Sequence, residues 1–564
     1  MAFYRKYLCF LSSFIFATLL CAQEQQAVPE LPAIEPIAPR EDIPKETPIE
    51  AEPNSSAVSS GFARYFNAVD FSGSYMRTRL MYGRNLHLRT YIPESKYGTS
   101  NFPPKLSAYE DNDATSNPDQ NIYSANMRLR LNPTINISEL TRVKATFDIF
   151  DNLVLGSTPS YMMSPVSFMS RSQVNTLENA FAVKRAWGEA NFPIGELRFG
   201  RMPMHWGLGI LHNSGDGINS DFGDQIDGVA FTTRIFDHFV TPAYSIAYTG
   251  KLGRGAHDSA ATRLRFDAAG QKYPLESSDI AHVISLSILK RDSEFITDIK
   301  KSEGKALFNY GLFASYRTQD IDTQDTKANT KLFTKRNGHV GMGSLWAAFS
   351  YKTFHIEAEF AGIWGKYRIK KPDSEDHDLG LLQGGFALES KYGFLNDRLQ
   401  VGLDAGLASA QDGPGFAIHE TNDDQKLPKD SLHKTSFKFN PAYNVDLLLY
   451  REVLGGISGT YYFRPHISYF FSRNFGVRGD ALSAFALKPS NTKGNSSLLG
   501  IELDASTFLR TENGFYCSLA YGVLFPLKGL NHRQGPGGIS ENQHKIYGEA
   551  HVAHTVQLYL GLLF

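Results

Sequence analysis

Apolar and polar residues alternate along most of this chain, which is typical of β-strands that present one apolar face. The C-terminal segment, residues 554–564, shows the pattern most clearly. Its apolar face carries Val556, Leu558, Leu560, Leu562 and Phe564, and its other face carries Thr555, Gln557, Tyr559 and Gly561. The pattern predicts a strand with one face toward lipid. An ordinary sheet strand at a chain terminus is the alternative.

Similar segments begin near residue 71 and recur to the C terminus. They predict about 18 strands (range 16 to 20), near 71–82, 122–135, 142–155, 182–192, 196–206, 225–235, 240–250, 280–290, 306–317, 340–352, 354–366, 380–391, 398–409, 459–471, 475–487, 497–509, 514–525 and 554–564. Short and long connections alternate between them. This arrangement predicts an all-β fold, a transmembrane antiparallel up-and-down β-barrel with short periplasmic turns and long extracellular loops.

The segment 444–456 does not fit this series of strands. If both termini lie on the same side of the membrane, the strand number is even, and one more strand here would place residues 472–474 on the wrong side. Val445, Leu448, Leu449 and Val453 recur near helical spacing. We therefore expect this segment in an outer loop or folded into the lumen, as a short helix.

Composition agrees with a barrel. Mean hydropathy is −0.28, and past the N-terminal region no run of about 18 apolar residues would form a spanning helix. Barrel strands expose only alternate residues to lipid, so an average composition can still span a bilayer. The aromatic content of 13%, with 40 Phe and 27 Tyr against 4 Trp, fits aromatic girdles at two membrane interfaces. A large soluble β-protein is the alternative.

The N terminus predicts export. Arg5 and Lys6 precede an apolar run over residues 8–20, and cleavage after Ala22 would make residues 1–22 a signal peptide. A lipoprotein anchored at Cys21 is less favoured because Leu20 is bulky. The mature chain then keeps only Cys517, which excludes an intrachain disulfide. Residues 23–60 are rich in Pro and Glu and predict a disordered tether, and residues 61–564 form the barrel.

Several segments resemble known families. The strand that ends on Phe564 is similar to the C-terminal signal of Gram-negative outer-membrane barrels. Residues 197–211, 215–231 and 445–469 resemble a family of uncharacterised outer-membrane β-barrel proteins of delta-type proteobacteria, and more loosely porins and alginate-export channels. The resemblance implies the cell outer membrane and a barrel fold. At that location we expect the tether to be periplasmic, the barrel to contact outer-membrane lipid and lipopolysaccharide, and the barrel assembly machinery to recognise the last strand. It implies no established activity.

Alternation also assigns charged residues to the lumen. The inward set, predicted to line the pore, comprises Arg77, Arg79, Arg128, Arg130, Arg198, Glu357, Glu359, Asp404, Glu502 and Asp504. Early strands supply the arginines, and middle and late strands supply most of the carboxylates. Such an arrangement predicts a transverse field that orients ionic solutes. The alternative is that the opposite charges pair across a filled lumen. Inward Lys144, Asp148, Arg185 and Glu189 make the segregation incomplete.

The stretch 215–227 is rich in Asp and Gly. Its oxygens could bind Ca²⁺, but the spacing does not match an EF-hand, and a Gly- and Asp-rich turn is the favoured interpretation. If this loop folds into the barrel, it could form the constriction, with His205 and Trp206 at its root.

The predicted function is a porin-like channel for diffusion of small hydrophilic solutes, without a cofactor, enzymatic activity or a nucleic-acid partner. One alternative is a plugged barrel that acts as a surface-binding or structural protein. Another is an outer-membrane hydrolase that uses His205, His212 and Ser214, although the chain has no HExxH, GxSxG or nucleotide-binding motif. The oligomeric state does not follow from the sequence.

Overall fold

The computed structural model describes residues 69–86, 88, 121–154, 181–247, 281–325, 331–369, 377–411, 433–492, 494–531 and 549–564. The predicted signal peptide and tether lie outside these residues. The described chain forms a closed barrel of 18 antiparallel strands. They are β1 Tyr75–Arg84, β2 Asn121–Leu131, β3 Thr141–Val154, β4 Phe181–Phe192, β5 Gly195–Pro203, β6 Gln225–Ile235, β7 His238–Ala247, β8 Ala281–Lys290, β9 Leu307–Asp325, β10 Lys331–Tyr351, β11 Phe354–Ile369, β12 His377–Phe394, β13 Leu399–Ala408, β14 Thr460–Phe470, β15 Phe475–Ala486, β16 Leu498–Arg510, β17 Phe515–Pro526 and β18 Ala553–Leu563.

Each strand pairs with its sequence neighbours, and the last strand closes the barrel on the first. Leu562 of β18 lies opposite Met76 of β1, while β1 also pairs with β2. Short strands at Val69–Asp70, Thr134–Asn136 and His433–Lys434 extend the sheet locally. Closure removes the free sheet edges that an apolar surrounding could not satisfy. The predicted fold and strand number are confirmed.

The two faces of the wall differ as alternation predicts. Leu312, Leu345 and Phe360 lie in register on β9, β10 and β11, and 41%, 56% and 53% of their surfaces are exposed on the outside. Other exposed apolar residues of this outer face are Leu80, Leu382, Val401, Leu403, Ile467, Ile501, Leu503 and Leu562. The intervening residues face the interior, among them the buried Arg77, Arg128 and Glu502.

Two differences from the predicted strands are informative. Strands β9, β10 and β12 have 19, 21 and 18 residues, longer than the alternation predicted, because polar ends such as residues 318–325 stay paired beyond the apolar band. Strand β5 ends at Pro203, not near residue 206, because the chain turns inward there and buries Trp206. Within the described part of the chain, no helix has both the length and the apolarity to cross a bilayer.

The barrel has a turn end and a loop end. At the turn end, β6 and β7 are joined through Phe236 and Asp237, which have φ of 46° and 65° and form a tight hairpin turn. Helix α1, Glu294–Ser302, lies at the same end between β8 and β9, and the side chain of Ser293 caps its first turn. Both the start of β1 and the end of β18 are at the turn end.

Candidate functional site in the barrel lumen

Two of the connecting segments that the structure describes fold into the lumen. We call residues 204–224, between β5 and β6, inner segment A, and residues 435–459, which precede β14, inner segment B. Segment B contains the predicted non-strand region 444–456, and its residues Leu449–Val453 form one π-helical turn. The prediction that this region is not a spanning strand and contains a helical turn agrees with the structure, and of the two predicted places, an outer loop and the lumen, the structure has the lumen.

Arginines of β1 and β2 hold inner segment A. The Asp221 carboxylate lies 2.7 Å from Arg77 Nη2, 2.8 Å from Arg79 Nη1 and 3.7 Å from Arg128 Nη2. Arg128 also donates to the Ser220 carbonyl at 2.8 Å, and Arg77 donates to the Ile218 carbonyl. The side chain of Asp221 is 4% exposed. A single carboxylate therefore ties the segment to three inward arginines.

Neighbouring strands extend this anchor. Arg130 donates to both oxygens of Asp148, at 2.7 and 2.8 Å, and to the Gly215 carbonyl at 3.1 Å. Arg185 pairs with Asp216 at 2.5 Å. Gly215 has φ of 68°, and a Cβ there would lie 1.7 Å from the Phe222 carbonyl oxygen. Only glycine fits where the two arms of the segment approach each other.

The other end of inner segment A rests on β11. The carboxylate of Glu359 is fully buried and accepts from the backbone N–H groups of Gly209 at 2.9 Å and Ile210 at 3.2 Å. Its second oxygen accepts from the Ser344 hydroxyl at 2.9 Å. Segment A thus spans the interior, from the arginines of β1 and β2 to a carboxylate on β11.

Inner segment B is held by a carboxylate of β16. Glu502 is fully buried and accepts from three consecutive N–H groups, those of Leu447 at 2.9 Å, Leu448 at 2.8 Å and Leu449 at 2.7 Å. These groups begin the π-helical turn and have no partner within it, so the carboxylate acts as an external cap. Within the segment, Asp446 accepts from the N–H groups of Tyr450 and Arg451.

A second contact fixes the start of the turn. Arg464 of β14 donates to Asp404 of β13 at 3.1 Å through Nε and to the Val445 carbonyl through Nη1. Tyr443 donates to Glu389 of β12 at 2.9 Å. The charged wall of the middle and late strands therefore binds segment B, as the basic wall of the early strands binds segment A.

The two inner segments also bind each other. Asn440 of segment B donates from its backbone to the Ile210 carbonyl and from its side chain to Asp224, both at 2.8 Å. Around this contact lies an apolar core inside the barrel, comprising Trp206, Leu208, Ile210, Leu211, Phe437, Phe439, Tyr443, Val445, Leu448 and Leu449. The segments form one packed unit within the lumen.

The pKa values of two carboxyls in this unit are shifted in opposite directions. Burial would raise the pKa of Asp221, but Arg79, Arg77 and Arg128 outweigh it and hold the pKa well below its usual range. Burial raises the pKa of Asp446 to about 6, against the hydrogen bonds from Tyr450 and Arg451, which lower it. Asp221 is therefore ionised at neutral pH.

The raised pKa of Asp446 predicts a pH-dependent stability. Between pH 3.8 and about 6 the folded state binds more protons than the unfolded state, so this carboxyl stabilises the fold at low pH, and that contribution is lost as pH rises through 6. We expect the midpoint temperature of thermal unfolding of the refolded barrel to decrease as pH rises from 3.8 to about 6. Asp446→Asn should remove the share of this decrease that comes from Asp446. Thermal unfolding at several pH values tests it, and an unchanged slope in the variant would contradict it.

The ten predicted lumen residues all lie on the inner face. Arg77, Arg79, Arg128, Arg130, Glu359 and Glu502 contact the inner segments directly, and Asp404 acts through Arg464. Of the remaining three, Arg198 lies 3.5 Å from Glu196, Glu357 accepts from the Trp346 indole, and Asp504 lies opposite Asp480. Their assignment as pore-lining selectivity residues stays a prediction.

Sequence reasoning missed Arg464, Asp446 and Asn440. Their neighbours in space come from other strands or from the other inner segment, and no period in the sequence indicates such contacts. The Asp-rich stretch was predicted as a turn. Its carboxylates point to separate partners: Asp216 to Arg185, Asp221 to the three arginines, Asp224 to Asn440 and Asp227 to Arg201.

One part of the wall keeps solvent-accessible polar side chains on its inner face. On β5, the side chain of Arg198 is 33% exposed, and on β6 and β7 the hydroxyls of Thr232 and Thr241 lie 3.0 Å apart. Both threonines, like Ser285 of β8, are half-buried. We call this part, the inner face of β5 to β8 near the turn end, the hydroxyl wall, and it lies away from the anchors of segment B. Farther toward the loop end the same face is buried at Met202, Ala230 and Ser245.

Searches against family models and against curated proteins gave no match. Among solved structures, the chain is similar to a BenF-like porin from Pseudomonas fluorescens (8% identity, TM-score 0.44, covering 87% of this chain and 97% of that one). It is also similar to OccK9 (OpdG) of Pseudomonas aeruginosa (12%, 0.43, 87% and 98%) and to OmpT, an outer membrane protein of Vibrio cholerae (8%, 0.32, 88% and 97%). At such identities no function transfers from one chain to another.

Proposed function

We propose that this protein is an outer-membrane channel through which small hydrophilic solutes diffuse. The apolar outer face of a closed antiparallel barrel supports a membrane location, because closure satisfies every strand within the wall. Single-chain barrels of this kind belong to the outer membrane. The short-turn end, where both ends of the barrel chain lie, then faces the periplasm.

The hydroxyl wall is the observation that supports the proposed channel. A dry, fully packed lumen would leave its inward side chains inaccessible to water, yet Arg198 is 33% exposed and Thr232, Thr241 and Ser285 are half-buried. Barrels of 16 to 18 strands are wide enough for an aqueous channel. The two inner segments narrow this one, and we propose that the solute path runs beside them, along the hydroxyl wall.

Selectivity follows from the same arrangement. Arg198 and Glu196 lie on the proposed path, while Arg77, Arg79, Arg128 and Arg130 act on it through the position of inner segment A. The carboxylates Glu357, Glu359, Asp404, Glu502 and Asp504 complete the proposed charged lumen.

Single-channel recording of the refolded mature protein in a planar bilayer tests the proposal. We expect steady conductance with an ion preference measurable in a salt gradient. A folded, heat-modifiable barrel that stays silent would overturn the channel. The apolar core shared by the inner segments would then favour a closed barrel that binds a partner at the cell surface.

A further inference from the structure

Tyrosine–histidine pairs recur on the outer face of the barrel, near the loop end. In each pair the tyrosine hydroxyl lies within hydrogen-bond distance of Nδ1 of a histidine on the next strand: 3.0 Å for Tyr316–His339 and 2.9 Å for Tyr521–His554. The rings stack at centroid distances of 6.3 and 6.2 Å. When the hydroxyl donates to Nδ1, a neutral imidazole carries its proton on Nε2 and can donate it to a ligand.

A basic residue completes each of these pairs. Lys366 of β11 lies directly opposite His339, and Arg84 of β1 lies directly opposite His554. Both sites therefore have the same order across three neighbouring strands: tyrosine, histidine, cation. A third pair, Tyr244–His282 at 2.7 Å, has Thr318 in place of the cation. The part of the chain that the structure describes thus contains two complete triads and one incomplete triad.

The first triad borders a groove of about 630 Å³. Trp364 forms one side of it and lies flat against Gly341, where a Cβ would be 2.4 Å from the indole. The side chain of Lys366 is 61% exposed, and its Nζ is 3.8 Å from Asp378, which also pairs with Arg368 at 3.2 Å. The groove itself is lined by one cation, Lys366, one carboxylate, Asp378, and the imidazole of His339, and Arg368 pairs with the same carboxylate beside it.

The groove is at the height of a lipid headgroup. Lys366 is 12 residues beyond Phe354, the first residue of β11 at the turn end. At the rise and tilt of barrel strands this is roughly 30 Å along the membrane normal, just past an apolar band of about 25 Å. Exposed apolar residues, among them Leu345 and Phe360, cover the outer wall between the level of Phe354 and the level of Lys366. The groove is therefore continuous with the surface that meets the acyl chains.

We propose that the two triads, Tyr316–His339–Lys366 and Tyr521–His554–Arg84, each bind a phosphate group of a phosphorylated glycolipid in the outer leaflet. The cation and imidazole contact the phosphate, as charge-assisted donors do, and the aromatic rings contact the sugar and the first carbons of the acyl chains. The inference rests on the proposed outer-membrane location, but not on an open channel. Fixed lipids at these points would hold the barrel at a defined depth.

Native mass spectrometry of the full mature barrel in detergent, titrated with diphosphorylated lipid A, tests the proposal. We expect two lipids to be retained by the parent, one by Lys366→Gln or Arg84→Gln, and none by the double variant. Each lost cation should weaken binding at its site about tenfold. Dephosphorylated lipid A should not be retained, and inorganic phosphate should not displace the bound lipid.

Matched controls come from the same chain. Lys352→Gln removes an exposed lysine beside Tyr351 at the turn end, and His282→Ala removes the histidine of the incomplete triad. Both should retain two lipids. A double variant that still holds two lipids, or equal retention of the dephosphorylated lipid, would overturn the inference. A barrel that binds two lipids but does not conduct would refute only the proposed channel. A barrel that conducts but binds no lipid would refute only the proposed lipid sites.

Discussion

Asp221→Asn is expected to release inner segment A from the wall and to increase single-channel conductance. The substitution leaves Arg77, Arg79 and Arg128 without their common carboxylate in a buried site. Breaking a buried ion pair from one side costs about 3 to 5 kcal/mol, because the remaining charge stays desolvated. As the segment moves away from the wall, water from the lumen would reach the arginines, and the reversal potential in a salt gradient should shift toward anion selectivity as the conductance increases.

Conductance, reversal potential and unfolding in lipid vesicles measure these effects together. The control is Asp227→Asn, since Asp227 pairs with Arg201 on the outer face with both side chains more than a third exposed (39% and 52%). Removing that pair should change stability by about 1 kcal/mol or less and leave the conductance unchanged. If the two variants behaved alike, Asp221 would not be the anchor of segment A.

Glu502→Ala is expected to free inner segment B. The variant removes the acceptor of the N–H groups of Leu447, Leu448 and Leu449, which lie in the apolar interior of the lumen. Each buried donor left without a partner costs about 1 to 3 kcal/mol, partly recovered where water enters. We expect the packed position of inner segment B to lose several kcal/mol of stability, and the single-channel current to fluctuate more.

Hydrogen–deuterium exchange reports this change at the amides themselves. Exchange over residues 447–449 should become faster in Glu502→Ala, while amides in the strand ladder of β16 and β17 stay protected. Glu512→Ala, at an exposed position in the turn after β16, is the control and should change neither. Unchanged protection of residues 447–449 would mean that packing, and not the carboxylate, holds the turn.

The strand order of the barrel follows from local sequence. Alternation has a period of two residues, so each strand carries its own evidence of where it lies and which face meets an apolar surrounding. All 18 predicted segments coincide with one strand each, and parity alone excluded residues 444–456 as a further strand. Boundaries were less accurate at the loop end, where β10 runs 21 residues because pairing continues beyond the apolar band.

The same alternation determined which charged side chains point inward, because it fixes direction. It did not determine what they contact. Arg77 and Glu502 were predicted to line a pore, and in the structure both hold inner segments that come from distant parts of the sequence. The predicted resemblance to a delta-type proteobacterial family and the roles of these residues in selectivity stay predictions.

The sequence by itself determined a barrel, its approximate strand number, the faces of the alternating strand residues and the exclusion of residues 444–456 as a strand; that this segment enters the lumen came from the structure. Only the tertiary structure decided that Asp221 meets three arginines, that Glu502 caps a helical turn, and that Asn440 joins the two inner segments. The physical reason is the range of each interaction. Alternation results from contacts of a strand with its immediate surroundings, whereas an ion pair between residues separated by 144 positions depends on how the barrel closes and where the loops enter it.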